Sequence, residues 1–402
     1  MTGQELENEL HAVLGWWRDN MPDKQQGGFY GRIDGYGQLH EQAAKGLVLN
    51  ARILWTFSAA ARDPRFERKK SGYGDTALRA YEYLCAHFYD AGFGGFYWSL
   101  DAAGKPENDK KQVYAQAFAI YGLSEYYLLS GNAAALDLAL QTFDLLEKNT
   151  LDLALNGYFE AYSRNWVLLE DLRLSEKDAN EAKTQNTHLH VLEAYANLLR
   201  AAPENRRVAA ALENLIELFE QRFIDPQSAH IHLFFDEKWQ LKSDIVSFGH
   251  DIEASWLLWD AAQTLGKTEV QERLKPLCLK IADATLREAL DPDGAVLNER
   301  RNSDGRLDTD RIWWVQAEAI LGFLNAWQMS GTALYHEAAA RCWQYTQAHL
   351  RDSGGGEWYW RVGRQGEHFP EEDKAGFWKC PYHNGRMLLF GSRTNVIHTP
   401  TG

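Results

Sequence analysis

Hydrophobic and polar positions alternate between two kinds of segment along this chain. Segment 132–148, NAAALDLALQTFDLLEK, repeats its apolar residues at three- and four-residue intervals and leaves one wet face, as a surface helix does. Segment 109–130 contains VYAQAFAIYGLSEYYLL and is apolar nearly all round, the pattern of a helix buried on every side. HLHVLEAYANLL in 178–201 and WWVQAEAILGFLNAW in 308–330 read the same way. Extended over the chain, the pattern predicts twelve helices: 4–20, 41–62, 74–89, 109–130, 132–148, 178–201, 205–222, 246–265, 268–289, 308–330, 332–350 and 377–391. Short turns such as SGN, LGKT and MSGT follow the even-numbered helices, and longer connections follow the odd-numbered ones. Odd helices outside and even helices inside make an all-α (α/α)6 barrel of six inner and six outer helices, expected as a single domain over 1–402.

The longer connections carry a repeated mark. GGFYG at 27–31, GGFYW at 94–98, NGYFE at 156–160 and GGEWYW at 355–360 look like short hairpins. Fainter echoes begin at Ala229 (AHIHLFF) and Asp293 (DGAVLNE), so the marks recur at roughly 60 to 73 residues, six to the chain.

Composition narrows the class. With 42 basic and 56 acidic residues the net charge is −14, and nothing resembles the basic stripe a nucleic-acid binder needs. No apolar run approaches the roughly 18 residues of a membrane helix, and the acidic start MTGQELENELHAVL is unlike a signal peptide. Cys85, Cys278, Cys342 and Cys380 lie far apart, which favours neither a zinc knuckle nor a disulfide framework, so a reduced, cytoplasmic enzyme is expected. The excess is aromatic, with 15 Trp, 18 Tyr and 18 Phe. Most of these rings belong to the core, but such rings also pack on the C–H faces of sugars.

Polar residues recur near the starts of the buried helices: Arg52; Tyr114 and Gln116; Asn186, His188 and His190; His250, Asp251 and Glu253; Trp313, Trp314, Gln316 and Glu318; His383 and Asn384. Unpaired polar groups in such places cost about 1–3 kcal/mol each, so their joint placement at one mouth points to a site. Asn186 and His190, His250 and Glu253, and Trp314 and Glu318 share helix faces by spacing. A lone histidine on an apolar helix is more often core. The HLH run offers no metal site, because i,i+2 side chains diverge. Cys380 and His383 lack a visible third group to form a nucleophile–base pair. Histidine takes and gives protons near neutrality, so two of them on opposite walls suit inversion of a carbon beside a carbonyl. Glu253 is placed to fix the tautomer of His250, Arg52 to stabilise an enediolate, and Trp314 and Trp378 to form a sugar platform.

KGLVLNARILW, QNTHLHVLEAY, GHDIEASW, WWVQAE and KAGFWKCPYHNGR together resemble the N-acylglucosamine 2-epimerase superfamily, most closely its cellobiose and mannose 2-epimerase branch, over nearly the whole chain. The resemblance implies the same barrel and metal-free, cofactor-free epimerisation at C2 of a reducing-end aldose through a cis-enediolate. It implies His250 and His383 as the acid/base pair. Arg52, Tyr114, Asn186, His190, Glu253, Trp314, Glu318 and Trp378 are implied to hold the sugar, assist ring opening or orient the histidines; His250 or His190 is the candidate for ring opening. The expected partner is a small sugar, mono- or disaccharide, taken by a monomer or homodimer with no nucleic acid or membrane involved. The loops near 162–178 and 352–375 decide whether a second sugar fits. An aldose–ketose (mannose) isomerase and an inverting glycoside hydrolase using Glu253 and Glu318 are the alternatives.

Overall fold

The structure, a computed structural model, describes residues 1–394; the final eight positions of the expected 1–402 domain lie outside the described residues. It contains twelve α-helices: α1 (Gly3–Asn20), α2 (Leu47–Arg62), α3 (Lys70–Tyr83), α4 (Val113–Ser130), α5 (Ala133–Asn149), α6 (Gln185–Ala201), α7 (Arg206–Leu218), α8 (Phe248–Leu265), α9 (Thr268–Glu288), α10 (Trp313–Ser330), α11 (Ala333–Tyr345) and α12 (Tyr382–Thr394). Every residue of α4 from Val113 to Tyr126 is buried, whereas α5 buries only the stripe Ala135, Ala139, Thr142, Phe143 and Leu146. That contrast is the one the sequence pattern predicts. Among the described residues, no helix is long and apolar enough to cross a membrane.

The even-numbered helices pack in succession, α2 on α4, α4 on α6, α6 on α8, α8 on α10 and α10 on α12, and α12 returns to α2. Each odd-numbered helix leans on one of them: α3 on α2, α5 on α4, α7 on α6, α9 on α8, α11 on α10 and α1 on α12. The helices approach closely where side chains are small. A Cβ on Gly122 of α4 would stand 2.7 Å from the Ala51 carbonyl oxygen of α2, so only glycine fits. Gly131 and Gly331 end α4 and α10 with φ of 70° and 72°, the left-handed cap for which the SGN and MSGT turns supply glycine.

Four buried helices, α2, α4, α6 and α10, begin four to seven residues later than the periodicity predicts, because loop residues and then a two-residue strand precede each. A similar three-residue strand, Ile245–Ser247, delays α8 by two. Lys45–Gly46 pairs with Ser99–Leu100, Lys111–Gln112 with Ala161–Tyr162, and Lys183–Thr184 with Phe234–Phe235. Ile245–Ser247 pairs with Glu299–Arg301, Arg311–Ile312 with Arg361–Val362, and Asp373–Ala375 with Ile33–Asp34. The last pairing joins the final repeat to the first. Three outer helices, α3, α7 and α11, end in a π-turn, at Leu84–Phe88, Phe219–Phe223 and Thr346–Leu350.

All six sequence marks are one-bridge hairpins, closed by Pro22–Phe29, Tyr89–Phe96, Leu151–Tyr158, Ile224–Ile231, Leu290–Val296 and Arg351–Trp358. The faint echoes at Ala229 and Asp293 are therefore genuine members of the repeat. Four polar residues on the buried helices serve these hairpins rather than the mouth. Gln116 bonds Phe96 N and O, both at 2.8 Å, and Gln316 bonds Val296 N at 2.8 Å and O at 2.7 Å. His188 Nε2 accepts from Tyr158 N at 2.8 Å, and Asp251 accepts from Ile231 N at 2.8 Å. Each is the fourth residue of its helix.

Candidate active site

The first two turns of the buried helices converge on a cavity of about 450 Å³. Tyr114, Asn186, Trp314 and His383 are each the second residue of a helix, with His250 the third, while Arg52, His190 and Glu253 lie one turn deeper as the sixth. These eight and Trp378 all line the cavity. Glu318, also predicted, does not line it; it sits behind His383, with Oε1 2.7 Å from His383 Nδ1. The wall also includes Trp313, next to Trp314, and two pieces of the loops that the sequence marks as deciding whether a second sugar fits: Leu174–Asp178 and Trp360.

Trp314 contacts both histidines, its ring centroid 5.0 Å from His250 and 5.6 Å from His383. Both histidines use Nδ1 in a hydrogen bond, which leaves Nε2 for chemistry. His250 Nδ1 bonds Ser247 Oγ at 2.9 Å, so Ser247, on the strand before α8, takes the place beside His250 that the sequence assigns to Glu253 and orients the ring. Glu253 Oε1 instead accepts from Arg386 at 2.9 Å and lies 3.8 Å from His383 Nδ1.

Arg386 is the hub of a buried network that reaches three helices. It donates to Glu253 and to Glu318 (2.7 Å), and bonds Glu193 and Tyr382. Trp256 donates to Glu318 at 3.0 Å, and Tyr382 to Glu193 at 2.5 Å. Glu193 also accepts from His190 Nδ1 at 2.9 Å. Burial pushes all three carboxyls upward. For Glu193, Arg386 and His190 outweigh burial and hold it at about 2. Glu253 stays well above the usual carboxylate range through burial and the facing Glu318, and burial raises Glu318 as well. Full ionisation of that pair is therefore disfavoured. Ligand atoms of Glu253, Glu318 and His383 lie within 4.8 Å of one another, a spacing a cation can fill, and the Arg386 guanidinium supplies positive charge to both carboxylates there.

Both imidazoles are held neutral at neutral pH. Burial and the nearby His190 lower His250 to about 3. Burial, Arg52 and Arg386 take His383 well below its ordinary value. Arg52 donates to the Tyr114 hydroxyl at 2.7 Å and stacks over the Phe118 ring at 4.1 Å. Its other nitrogen meets Cys380 Sγ at 3.7 Å, and burial raises that thiol, so Cys380 is no thiolate nucleophile.

Arg386, Tyr382 and Glu193 were missed by the sequence reading. Their signal was present, since a charge such as Arg386 on a helix flanked by apolar residues needs buried partners. Ser247 carried no signal, because it precedes its helix and is chemically ordinary.

The profile of the N-acylglucosamine 2-epimerase (GlcNAc 2-epimerase) family matches residues 28–385. The cellobiose 2-epimerase of Bacteroides fragilis is 47% identical over 387 residues, 96% of this chain and 97% of that protein. The cellobiose 2-epimerase of Ruminococcus albus is 40% identical over 391 residues, with 96% and 97% covered. The solved cellobiose 2-epimerase of Bacillus thermoamylovorans superimposes with a TM-score of 0.92 at 38% identity, covering 97% of this chain and 98% of that one. The chain belongs to the N-acylglucosamine 2-epimerase family and is a carbohydrate 2-epimerase, an isomerase.

Proposed function

We propose that this epimerase interconverts the gluco and manno configurations at C2 of a reducing-end aldose in a cellobiose-type disaccharide, with His250 and His383 as its two acid/base groups. The observation that carries this reading is that both imidazoles line one cavity and both contact the Trp314 ring. The full-length relatives that are cellobiose 2-epimerases support the disaccharide. We read the closed succession of buried helices as an (α/α)6 barrel forming one domain.

In this mechanism the reducing sugar stacks on Trp314 and Trp378 with C2 between the two Nε2 atoms. One neutral imidazole removes the C2 proton, and the negative charge passes to O1 as the cis-enediolate. Arg52, its guanidinium already aligned by Tyr114, stabilises that oxygen. The enediolate charge favours protonation of the second histidine, whose Nε2 takes a proton from solvent and returns it to the opposite face of C2, while the first histidine gives its proton up to solvent. Asn186 and His190 hold hydroxyls, and His190, braced by Glu193, assists ring opening. Glu253 and Glu318 act through Arg386 and His383.

The arrangement speaks against an inverting hydrolase, whose carboxylates stand about 6.5–9.5 Å apart across the scissile bond. Here Glu253 and Glu318 share one guanidinium, and Glu318 does not reach the cavity. An isomerase differs only in returning the proton to C1. Incubation with cellobiose, mannose, glucose and fructose in deuterated water, followed by NMR, tests the assignment: a glucosyl-mannose product deuterated at C2 is expected. A ketose as the main product, or release of free glucose, overturns it.

A further inference from the structure

The six repeats hold their hairpins against the buried helices in nearly the same way, and one repeat departs from it. In five, a cation on the short strand that leads toward the buried helix bonds a carboxylate of the preceding hairpin: Lys45 with Asp23 (2.7 Å), Lys111 with Asp90 (3.0 Å), Lys183 with Asp152 (2.7 Å) and Arg311 with Asp291 (2.5 Å), each two residues before its helix, and Lys374 with Asp352, eight residues before α12. In the fourth repeat, Val246 stands at the place of that cation, two residues before α8. The polarity is reversed there. The cation is on the hairpin, as His230, and the carboxylate is on the helix, as Asp251, with His230 Nδ1 2.7 Å from Asp251 Oδ2. The helix concerned is the one that carries His250.

The clamp residue differs in the same repeat. Gln116 and Gln316 hold their hairpins with an uncharged amide, and His188 with a ring that burial keeps neutral. Asp251 does so with a carboxylate that is fully enclosed. An enclosed carboxyl must either keep its proton or find a cationic partner; burial raises Asp251, and His230 and the Ile231 N–H oppose that rise. His230 faces carboxylates at both ring nitrogens, since Nε2 lies 3.1 Å from Glu288 Oε2 of α9.

We infer that His230 is a positioning residue for the epimerisation: as an imidazolium held between Asp251 and Glu288, it fixes the first turn of α8 and so the place of the adjacent His250. The inference rests on the proposed role of His250.

The surrounding charges set its pH range. Asp251 faces His230 from α8, Glu288 from α9, and Arg300 from the strand Glu299–Arg301, with Arg300 3.3 Å from Nε2 and itself bonded to Glu288. Asp225 and His232 lie on the hairpin side, 3.7 Å from each other. Burial and Arg300 oppose the charge, while the two carboxylates outweigh burial and raise His230 above its ordinary value. A raised histidine contributes its stabilisation fully below about pH 6.5 and loses it as pH climbs through the folded value. Turnover should therefore fall on the alkaline side as His230 loses its proton.

The test combines nitrogen NMR of the histidine rings with kinetics of the full-length enzyme. In the unmodified protein, His230, assigned by its absence in His230→Gln, is expected to be doubly protonated at pH 7; a neutral ring at that pH overturns the inference. His230→Gln should lower kcat about tenfold with KM little changed and remove the alkaline limb that tracks His230. The pair His230→Gln with Asp251→Asn, an uncharged clamp like those of Gln116 and Gln316, should recover most of kcat. A single variant with unaltered kcat and pH profile, or a double variant slower than the single one, contradicts the inference. Should the single variant not fold, the ring NMR and the double variant decide. His250→Ala separates the underlying reading: if it still turns over sugar, the role of His250 fails, while the charge state of His230 is measured independently.

Discussion

The walls carrying His383 and His250 hold their histidines by different means. His383 rests on Glu318 and, through Arg386, on a network that includes Glu253, Glu193 and Tyr382 and so links α6, α8, α10 and α12. His250 rests on one neutral hydroxyl, Ser247. The same reaction step asks for a fixed ring and an available Nε2 on each side, and both walls meet that need. The difference lies in response to charge: a carboxylate partner stabilises an imidazolium, whereas a hydroxyl, able to donate or accept, orients the ring without favouring a proton. The two sides should therefore tolerate damage unequally.

The largest effect expected is from truncating either imidazole. His383→Ala and His250→Ala should each reduce kcat by roughly 10²–10⁴-fold, measured by product formation with the disaccharide. A variant within a few-fold of the native rate would remove that histidine from the pair. Next comes Glu318→Gln, which keeps shape but withdraws the charge behind His383. About a hundredfold loss in kcat, with KM nearly constant, is expected from steady-state kinetics. Ser247→Ala, the matching change on the other wall, removes only a neutral bond worth about 1 kcal/mol, so kcat should fall roughly fivefold. Equal losses from these two substitutions would erase the contrast between the walls.

The smallest effect concerns stability. His250 and His188 are each held at about 3, against about 6.5 in the unfolded chain. Between those values the unfolded chain binds the extra protons, so stability falls as pH drops from 6.5 toward 3. Calorimetry should show a falling Tm over that range, and His188→Gln, which supplies the same acceptor to Tyr158 without a titrating ring, should flatten the slope. The acid limb of kcat/KM should likewise lie below pH 6.5, because the base stays unprotonated there.

The helices were legible because burial leaves a trace in the sequence: VYAQAFAIYGLSEYYLL is apolar all round, and α4 is buried all round. The helix starts were less legible, because strands as short as Lys111–Gln112 look like the helix they precede. The placement of polar residues near helix starts identified the cavity, but it did not separate its two uses. Tyr114 and Gln116 lie two residues apart on α4; one lines the cavity and the other clamps a hairpin. Helical phase distinguishes them once the start of the helix is known: these fourth residues face the hairpin, whereas the cavity takes second, third and sixth residues, with Glu318, the sixth of α10, held behind His383. The partners of His250 and His383 depend on contacts between distant segments, such as Glu193 with Arg386, which no spacing along the chain reveals.

The central claim is that two separate bases serve the two faces of C2, and early-time NMR of the native enzyme in deuterated water tests it most directly. Starting from either epimer, the account predicts that the product carries deuterium at C2 while the unconverted substrate retains protium. Transfer of the original protium into the product, or deuterium appearing in substrate as fast as in product, would contradict it.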